Sequence, residues 1–266
     1  MDLHLNDKHV LITGGSKGIG LACARVFLQE GAKVSLVSRD QANLDLAKQT
    51  LSNEMPSWAN RIAVFSADLV NADSALTAID AAEAAMGSID VLVNSAGAAK
   101  RVIAPELSPA RWRDAMDAKF FTYINVMDPV IKRMGERRSG VVVNVIGAGG
   151  KVASTVHISG GSANAALMLA TAGLAAAYAP MGIRVNAVNP ASTLTERLKE
   201  GIKVAAANDN VSEEQALKDA TKKVPLGRLA TPEEVADTVV YLASDRASYV
   251  TGTIITMDGS QTPLVV

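Results

Sequence analysis

The residues best suited to chemistry come early in the chain. Thr13-Gly14-Gly15-Ser16-Lys17-Gly18-Ile19-Gly20 follows an apolar, β-branched run, His9–Thr13, and opens a helical stretch, Leu21–Glu30. Glycines let the backbone turn sharply and let a pyrophosphate approach closely. The helix N-terminus then offers free N–H groups and partial positive charge. Gly14, Ser16, Lys17, Gly18, Ile19 and Gly20 are the expected contacts. The spacing is Gly-x3-Gly-x-Gly, not Gly-x-Gly-x2-Gly, so the strand before and the helix after carry the assignment. The competing reading is a tight strand–helix turn with no ligand. About 20 residues beyond the glycines an acid would bind ribose hydroxyls, or an arginine a 2′-phosphate. There the sequence reads Ser38-Arg39-Asp40. Ser38 cannot play the acid, whereas Arg39 can hold phosphate, with Lys17 as a second cation. NADP(H) is therefore favoured over NAD(H), unless Asp40 pairs with Arg39 as an ordinary surface charge.

These residues need a scaffold, and the apolar pattern supplies one. Short β-branched runs recur at His9–Thr13, Lys33–Ser38, Arg61–Ser66, Asp90–Asn94, Val141–Ile146, Arg184–Asn189 and Thr253–Met257. Most are apolar nearly throughout, as strands buried on both faces are. Helical stretches lie between them: Leu21–Glu30, with Gly31 at its C-terminal cap, Ala42–Leu51 and Ser74–Met86. Thr231-Pro232-Glu233-Glu234 and Ser212-Glu213-Glu214-Gln215 both spell capping boxes. The expectation is an α/β single-domain Rossmann fold over residues 1–266, a doubly wound seven-stranded parallel sheet with helices on both faces. Residues 192–223 are polar and break the strand rhythm, which suits a mobile lid over the strand ends.

Together these features resemble the short-chain dehydrogenase/reductase family over nearly the whole chain. The matching residues are Thr13–Gly20, Asp68-Leu69, Asn94-Ser95-Ala96-Gly97, and Asn189-Pro190 with Thr195. Pro225-Leu226-Gly227-Arg228, Thr231–Glu234, Tyr249-Val250-Thr251-Gly252 and Asp258-Gly259 complete the match. The resemblance implies an oxidoreductase acting on a carbonyl/alcohol pair, a nicotinamide cofactor and a homotetramer or dimer. It also implies cofactor contacts from Asp68-Leu69 at the adenine and from Asn94, Ala96 and Gly97 along the dinucleotide. The segment Pro190–Thr195, with Thr193 and Thr195, would lie by the nicotinamide. Ala191 stands where the family usually has glycine.

The family's chemistry uses a proton-donating tyrosine, a lysine four residues later, a serine after the fifth strand and an asparagine in a preceding helix. None is present. Gly147 stands at the serine position, Gly160 at the tyrosine, Asn164 at the lysine and Lys119 at the asparagine. Hydride transfer to a carbonyl makes an alkoxide that must be protonated, and a positioned acid is worth ~10²–10⁴ in rate. Glycine cannot donate, and an asparagine amide cannot depress a neighbour's pKa as an ammonium does.

Several residues could stand in. His157, three positions before Gly160, is a natural acid/base. The competing and favoured reading is a loop histidine bonded to backbone or solvent. Lys119 could bring positive charge to an oxyanion or point to solvent. Asn164 could still hydrogen-bond ribose. Ser159 and Ser162 suit helix capping better than nucleophilic work. Tyr123, one turn past Lys119, could share its helix face, whereas Tyr178 lies many turns beyond Asn164. Cys23 reads as core packing, and His4, His9 and His157 show no metal-ligand spacing. Two further readings stay open: a cofactor-binding or regulatory subunit without redox turnover, and a lyase, isomerase or hydrolase step in the same pocket.

Composition narrows the partners. The chain has 266 residues, 48% hydrophobic and 20% charged, with 26 basic against 27 acidic residues. A net charge of -1 gives no electrostatic case for nucleic acid, so a small-molecule substrate is expected. One cysteine forbids an internal disulfide and suits a reducing, cytoplasmic setting. The start has no signal-peptide pattern. Ala165–Ala179 is uncharged but shorter than the ~18 residues of a membrane span, and reads as a buried or subunit-interface helix.

Overall fold

The computed structural model describes residues 1–97 and 100–263, the side chains of residues 208 and 209 excepted. All seven strands join one parallel sheet in the order β3-β2-β1-β4-β5-β6-β7. They are β1 (His9–Thr13), β2 (Lys33–Ser38), β3 (Ile62–Ser66), β4 (Val91–Asn94), β5 (Gly140–Val145), β6 (Ile183–Pro190) and β7 (Ile254–Met257). The central strands are buried end to end, as their unbroken apolar runs require. Expected boundaries hold to within a residue or two. β5 begins and ends one residue earlier than the run Val141–Ile146, which leaves Ile146 and Gly147 to start the loop above it.

Helices α1 (Gly18–Gln29), α2 (Gln41–Glu54), α3 (Ala72–Met86), α4 (Pro109–Ala115), α5 (Thr122–Arg137), α6 (Ile158–Tyr178), α7 (Glu196–Asp209), α8 (Glu213–Lys222) and α9 (Pro232–Ala243) surround the sheet. One core, built on Val10, Phe27, Leu36, Leu44 and Val239, lies under α1, α2 and α9. A second, built on Leu11, Ile79, Leu92, Met127 and Val142, lies under α3 and α5, and a third, smaller one joins Tyr123, Ile146, Leu167, Met168 and Ala187. Alternate residues of each strand feed opposite faces, so the sheet is doubly wound. Gly31 follows the α1 C-cap residue, Glu30.

Three details refine the sequence reading. Thr231 and Glu234 form the full reciprocal box at α9. At α8 only half of it forms: the Ser212 hydroxyl accepts from the Gln215 N–H, but the Gln215 side chain turns forward to Asp219. Residues 192–223 are largely two helices, α7 and α8. The segment Ile158–Met181, with mean hydropathy 1.3, is long and apolar enough to cross a membrane. Its polar Thr171 nevertheless accepts a hydrogen bond from Asn144 of β5 (3.0 Å), and Leu167 packs against β6, so it is a layer over the sheet.

The strand order reverses direction between β1 and β4. A crevice opens there at the carboxyl ends of the strands, where α/β sheets take their ligands.

Candidate active site

The floor of the crevice is the turn between β1 and α1. Gly14 has φ +67°, and a Cβ there would stand 2.9 Å from the Ala96 nitrogen and the Ser95 carbonyl oxygen, so the two strand-end turns touch only because this residue is glycine. The Thr13 hydroxyl ties them further, accepting from the N–H groups of Ser95 (3.1 Å) and Ala96 (3.2 Å). Helices α2, α3, α4, α7, α8 and α9 each begin with a side chain that accepts a hydrogen bond from the first turn. At α1 the N-cap is Lys17, and no side chain caps it. Its first-turn N–H groups have no side-chain acceptor among the described residues, which is the arrangement a bound phosphate completes.

A cavity of about 560 Å³ runs from this loop toward the end of β2, lined by Gly14, Ser38, Arg39, Asp68, Leu69, Ala96 and Gly97 among others. Arg39 has no carboxylate within ion-pair distance among the described residues. Asp40 caps α2 instead, accepting from the Asn43 N–H (2.9 Å), so the expected alternative of an Arg39–Asp40 pair is not what forms. Arg39 is thus available to an anion at the ribose end. Thr195, the N-cap of α7, places its Cγ2 3.3 Å from where a Cβ on Gly18 would lie, so α7 starts directly over the loop. These residues fit a dinucleotide.

Other expected contacts play supporting parts. The Ile19 side chain packs on the core, and only its backbone can serve a ligand. Ser16 is half-buried in the loop, Gly20 is buried beneath it, and Lys17 is exposed, off the cavity wall. The buried Asn94 amide donates to Asn144 (3.0 Å), so its side chain braces the sheet beneath the Ser95–Gly97 turn. Pro190 ends β6, and buried Thr193 pairs with Ala230, holding the segment that carries Thr195.

The positions expected to form the reaction centre lie beyond β5. Gly147 has φ +124°, a conformation that L side chains rarely adopt, so a serine there would be strained. A Cβ on Gly147 would lie 3.5 Å from Asn164 Nδ2, and one on Gly149 would lie 3.4 Å from His157 Cδ2. A Cβ on Gly160 would overlap the His157 ring itself. The imidazole therefore fills the space in which a side chain at position 160 would begin. Its Nδ1 is buried without a hydrogen-bond partner. Burial first, then the charges of Arg101, Arg197 and Lys119, hold the imidazole below its ordinary pKa. Asn164 is 6% exposed, and its amide makes no hydrogen bond to another described residue. Ser162 donates to the Ile158 carbonyl (3.0 Å) inside α6, and neither it nor Ser159 caps the helix as expected, because His157 is the N-cap residue and no side chain caps that end.

Lys119 does not reach solvent. Residues Met116–Phe121 form a π-helical turn between α4 and α5, and this wider turn swings Lys119 inward, 6% exposed. Its ammonium donates to the Tyr123 hydroxyl (2.7 Å) and the Val145 carbonyl (3.2 Å). Burial first, then the charge of Arg197, push the amine down to about 7. Tyr123 is wholly buried and donates its own proton to the Val145 carbonyl, and burial raises its pKa. A phenol backed by an ammonium does exist here, but behind the wall of the cleft with its proton already spent. Tyr178 closes the far end of α6, and Cys23 is buried in the core with its thiol pushed up to about 12 by burial.

Four basic residues on or near the cavity escaped the sequence reading: Lys100, Arg101, Arg111 and Arg197. Arg197 stands two residues after Thr195, in the segment already marked as a lid, and that proximity was the available signal. Arg101 carried none, because its approach to His157 depends on an isolated bridge between Val102 and His157.

A model of the enoyl-(acyl carrier protein) reductase family matches residues 14–262. The chain is 34% identical over 265 residues to 2-(S)-hydroxypropyl-CoM dehydrogenase 3 of Xanthobacter autotrophicus, covering 99% of this chain and 100% of that one. L-sorbose reductase from Gluconobacter frateurii, solved with NADPH and L-sorbose, superposes with a TM-score of 0.93 at 26% identity, covering 100% of both chains. An NADPH-bound short chain oxidoreductase from Pseudomonas aeruginosa PAO1, described as containing an atypical catalytic center, superposes with a TM-score of 0.89 at 26% identity, over 97% of this chain and 98% of that one. With the sheet order, the glycine turn and these matches in agreement, the chain belongs to the short-chain dehydrogenase/reductase family.

Proposed function

We propose that the protein is an NADP(H)-dependent oxidoreductase of a carbonyl/alcohol pair, in which His157 replaces the tyrosine as proton donor and acceptor. The observation that carries this reading is the imidazole in the side-chain space above Gly160, with one ring nitrogen unpartnered. The nicotinamide supplies and accepts hydride. The preference for the 2′-phosphorylated form rests on Arg39, which has no carboxylate within ion-pair distance among the described residues, and on the NADPH complexes among the related structures.

Each replaced position then has a physical role. Protonated His157 delivers its proton to the nascent alkoxide. The cations around it make it a stronger acid, as Lys119, Arg101 and Arg197 all disfavour its charged form. Asn164 directs its amide N–H into the space left by Gly147 and can orient the substrate oxygen there. Lys119 and Asn164 exchange the chemical identities of the family's asparagine and lysine, so the positive charge now enters from the α4–α5 side. Residues 192–223 close over the cleft as a lid, and the assembly is a homotetramer or dimer, with exposed Leu169 (77%) and Phe121 (43%) offering apolar contact.

Purified protein with NADPH and a panel of aldehydes and ketones tests the reading. NADPH oxidation that falls ~10²–10⁴-fold in His157→Ala supports it. An unchanged rate in that variant removes the histidine from the chemistry. The absence of any hydroxyl at Gly147 favours a second reading, a subunit that binds cofactor without turnover. NADPH that raises the melting temperature while no carbonyl is reduced would select it. Turnover of a compound without net NADPH change would select a non-redox step.

A further inference from the structure

Three cations, Arg101, Arg197 and Lys119, act on His157, and Glu200 only partly offsets Arg197. Val102 bridges to His157, and its N–H donates to the Val156 carbonyl (3.1 Å), which anchors Arg101 beside the histidine. Arg197 lines the cavity from the first turn of α7. Among the described residues neither guanidinium has a carboxylate within ion-pair distance, whereas Arg25, Arg61, Arg133 and Arg228 each do. Like charges held close destabilise each other, and a cation in the first turn opposes its helix dipole. Loss of solvent first, then Arg101, holds the Arg197 guanidinium below its ordinary pKa, against the opposing charge of Glu200. Both side chains are exposed, so water screens this repulsion, and an anion held between the two guanidinium groups would turn it into attraction.

The cofactor's phosphates have other partners. The uncapped start of α1 would hold the pyrophosphate, and Arg39, on the cavity wall, would hold the 2′-phosphate. Arg101, in contrast, is tied to the histidine.

We propose that Arg101 and Arg197 clamp an anionic group on the substrate, a carboxylate, sulfonate or phosphate close to the reacting carbonyl. The proposal rests on the carbonyl-reductase reading above. Guanidinium forks bind such groups in a plane through paired hydrogen bonds, so the clamp sets the direction of the carbonyl as well as its affinity.

The test uses matched pairs: pyruvate and methyl pyruvate, acetoacetate and its methyl ester, dihydroxyacetone phosphate and dihydroxyacetone. The anionic member of at least one pair should be reduced with the higher kcat/KM. Arg101→Gln and Arg197→Gln should each shrink that preference roughly tenfold to a hundredfold, through KM, since a hydrogen bond to a charged group is lost. Arg197→Lys should recover part of it. The Kd for NADPH should not follow the substrate KM. Equal or better reduction of the neutral members overturns the proposal, as does an NADPH Kd that weakens in step with the substrate KM. If nothing is reduced, the thermal shift of the NADPH-loaded protein with the same compounds decides. A shift for the anions that disappears in the double variant keeps the clamp while the reductase reading fails. No shift sinks the clamp as well.

Discussion

One missing side chain determines where the His157 ring can lie. Gly160 is buried, and the imidazole sits where its Cβ would be. Putting the family's tyrosine back is therefore not a simple restoration. Gly160→Tyr should overpack the site and destabilise the protein by ~1–3 kcal/mol. In a His157→Ala background the same substitution should cost less, and urea denaturation of the four proteins gives the coupling directly. Strict additivity would mean that the ring lies elsewhere. The same residue sets a pH dependence. Burial and neighbouring cations place its pKa below the ordinary imidazole value of ~6.5. Reduction needs the imidazolium, so kcat/KM for reduction should climb as pH falls through that lowered value. Alcohol oxidation needs the neutral ring and should climb as pH rises, reaching its plateau by about neutrality. A reductive profile flat across pH 5–8, in wild type and His157→Gln alike, would exclude this titration. The family resemblance, carried over by spacing, pointed to Gly147, Gly160, Asn164 and Lys119 as the positions to inspect. It could not show that His157 occupies the vacated space, because that depends on the backbone path of the loop before α6. Nor could it show Lys119 turned inward, because a π-helical turn has no reliable sequence signature.

At the scale of elements, the fold was legible where burial is two-sided. The run His9–Thr13 is apolar on both strand faces because both faces meet helices, and its boundaries match β1. Residues 192–223 were harder, because their helices pack loosely and carry few apolar residues in register. The caps show the limit of a motif. Thr231 and Glu234 satisfy each other, and Glu234 also takes Arg228 through two hydrogen bonds (2.8 and 2.6 Å). Ser212 does its half, but Gln215 prefers the carboxylate of Asp219 one turn on. Thr231→Ala should therefore cost ~1 kcal/mol of stability, and Ser212→Ala a similar or smaller amount, since each removes one N-cap acceptor. Gln215→Ala should be nearly neutral because it removes nothing from the cap. Denaturant titration of the three variants checks the ranking. A Gln215→Ala loss as large as that of Thr231→Ala would show that the full box forms in solution.

The whole molecule joins two halves across one cleft. The β1–α1 turn and the β4 turn are locked together by Gly14 and Thr13, and this half offers its ligand a largely formed surface. The other half is built from Ala191 to Lys223, and it meets the first through Thr195 above Gly18 and through Arg197 on the cavity wall. A dinucleotide lying along the glycine turn would touch both, so binding should couple them. NADPH at 100 times its Kd should stabilise the native state by ~2.7 kcal/mol if the unfolded chain does not bind it. The distribution of that gain is the sharper expectation. Amides of α7 and α8 should exchange with deuterium faster than those of β1, β4 and β5 in the free protein, and NADPH should slow them more than it slows the sheet. Protection confined to the glycine turn would mean that 192–223 is not a lid but a fixed rim. An anionic carbonyl compound added with NADPH should slow the start of α7 further, since Arg197 would then hold the substrate from the moving side. That added protection should be lost in Arg197→Gln, while the effect of NADPH on the glycine turn persists.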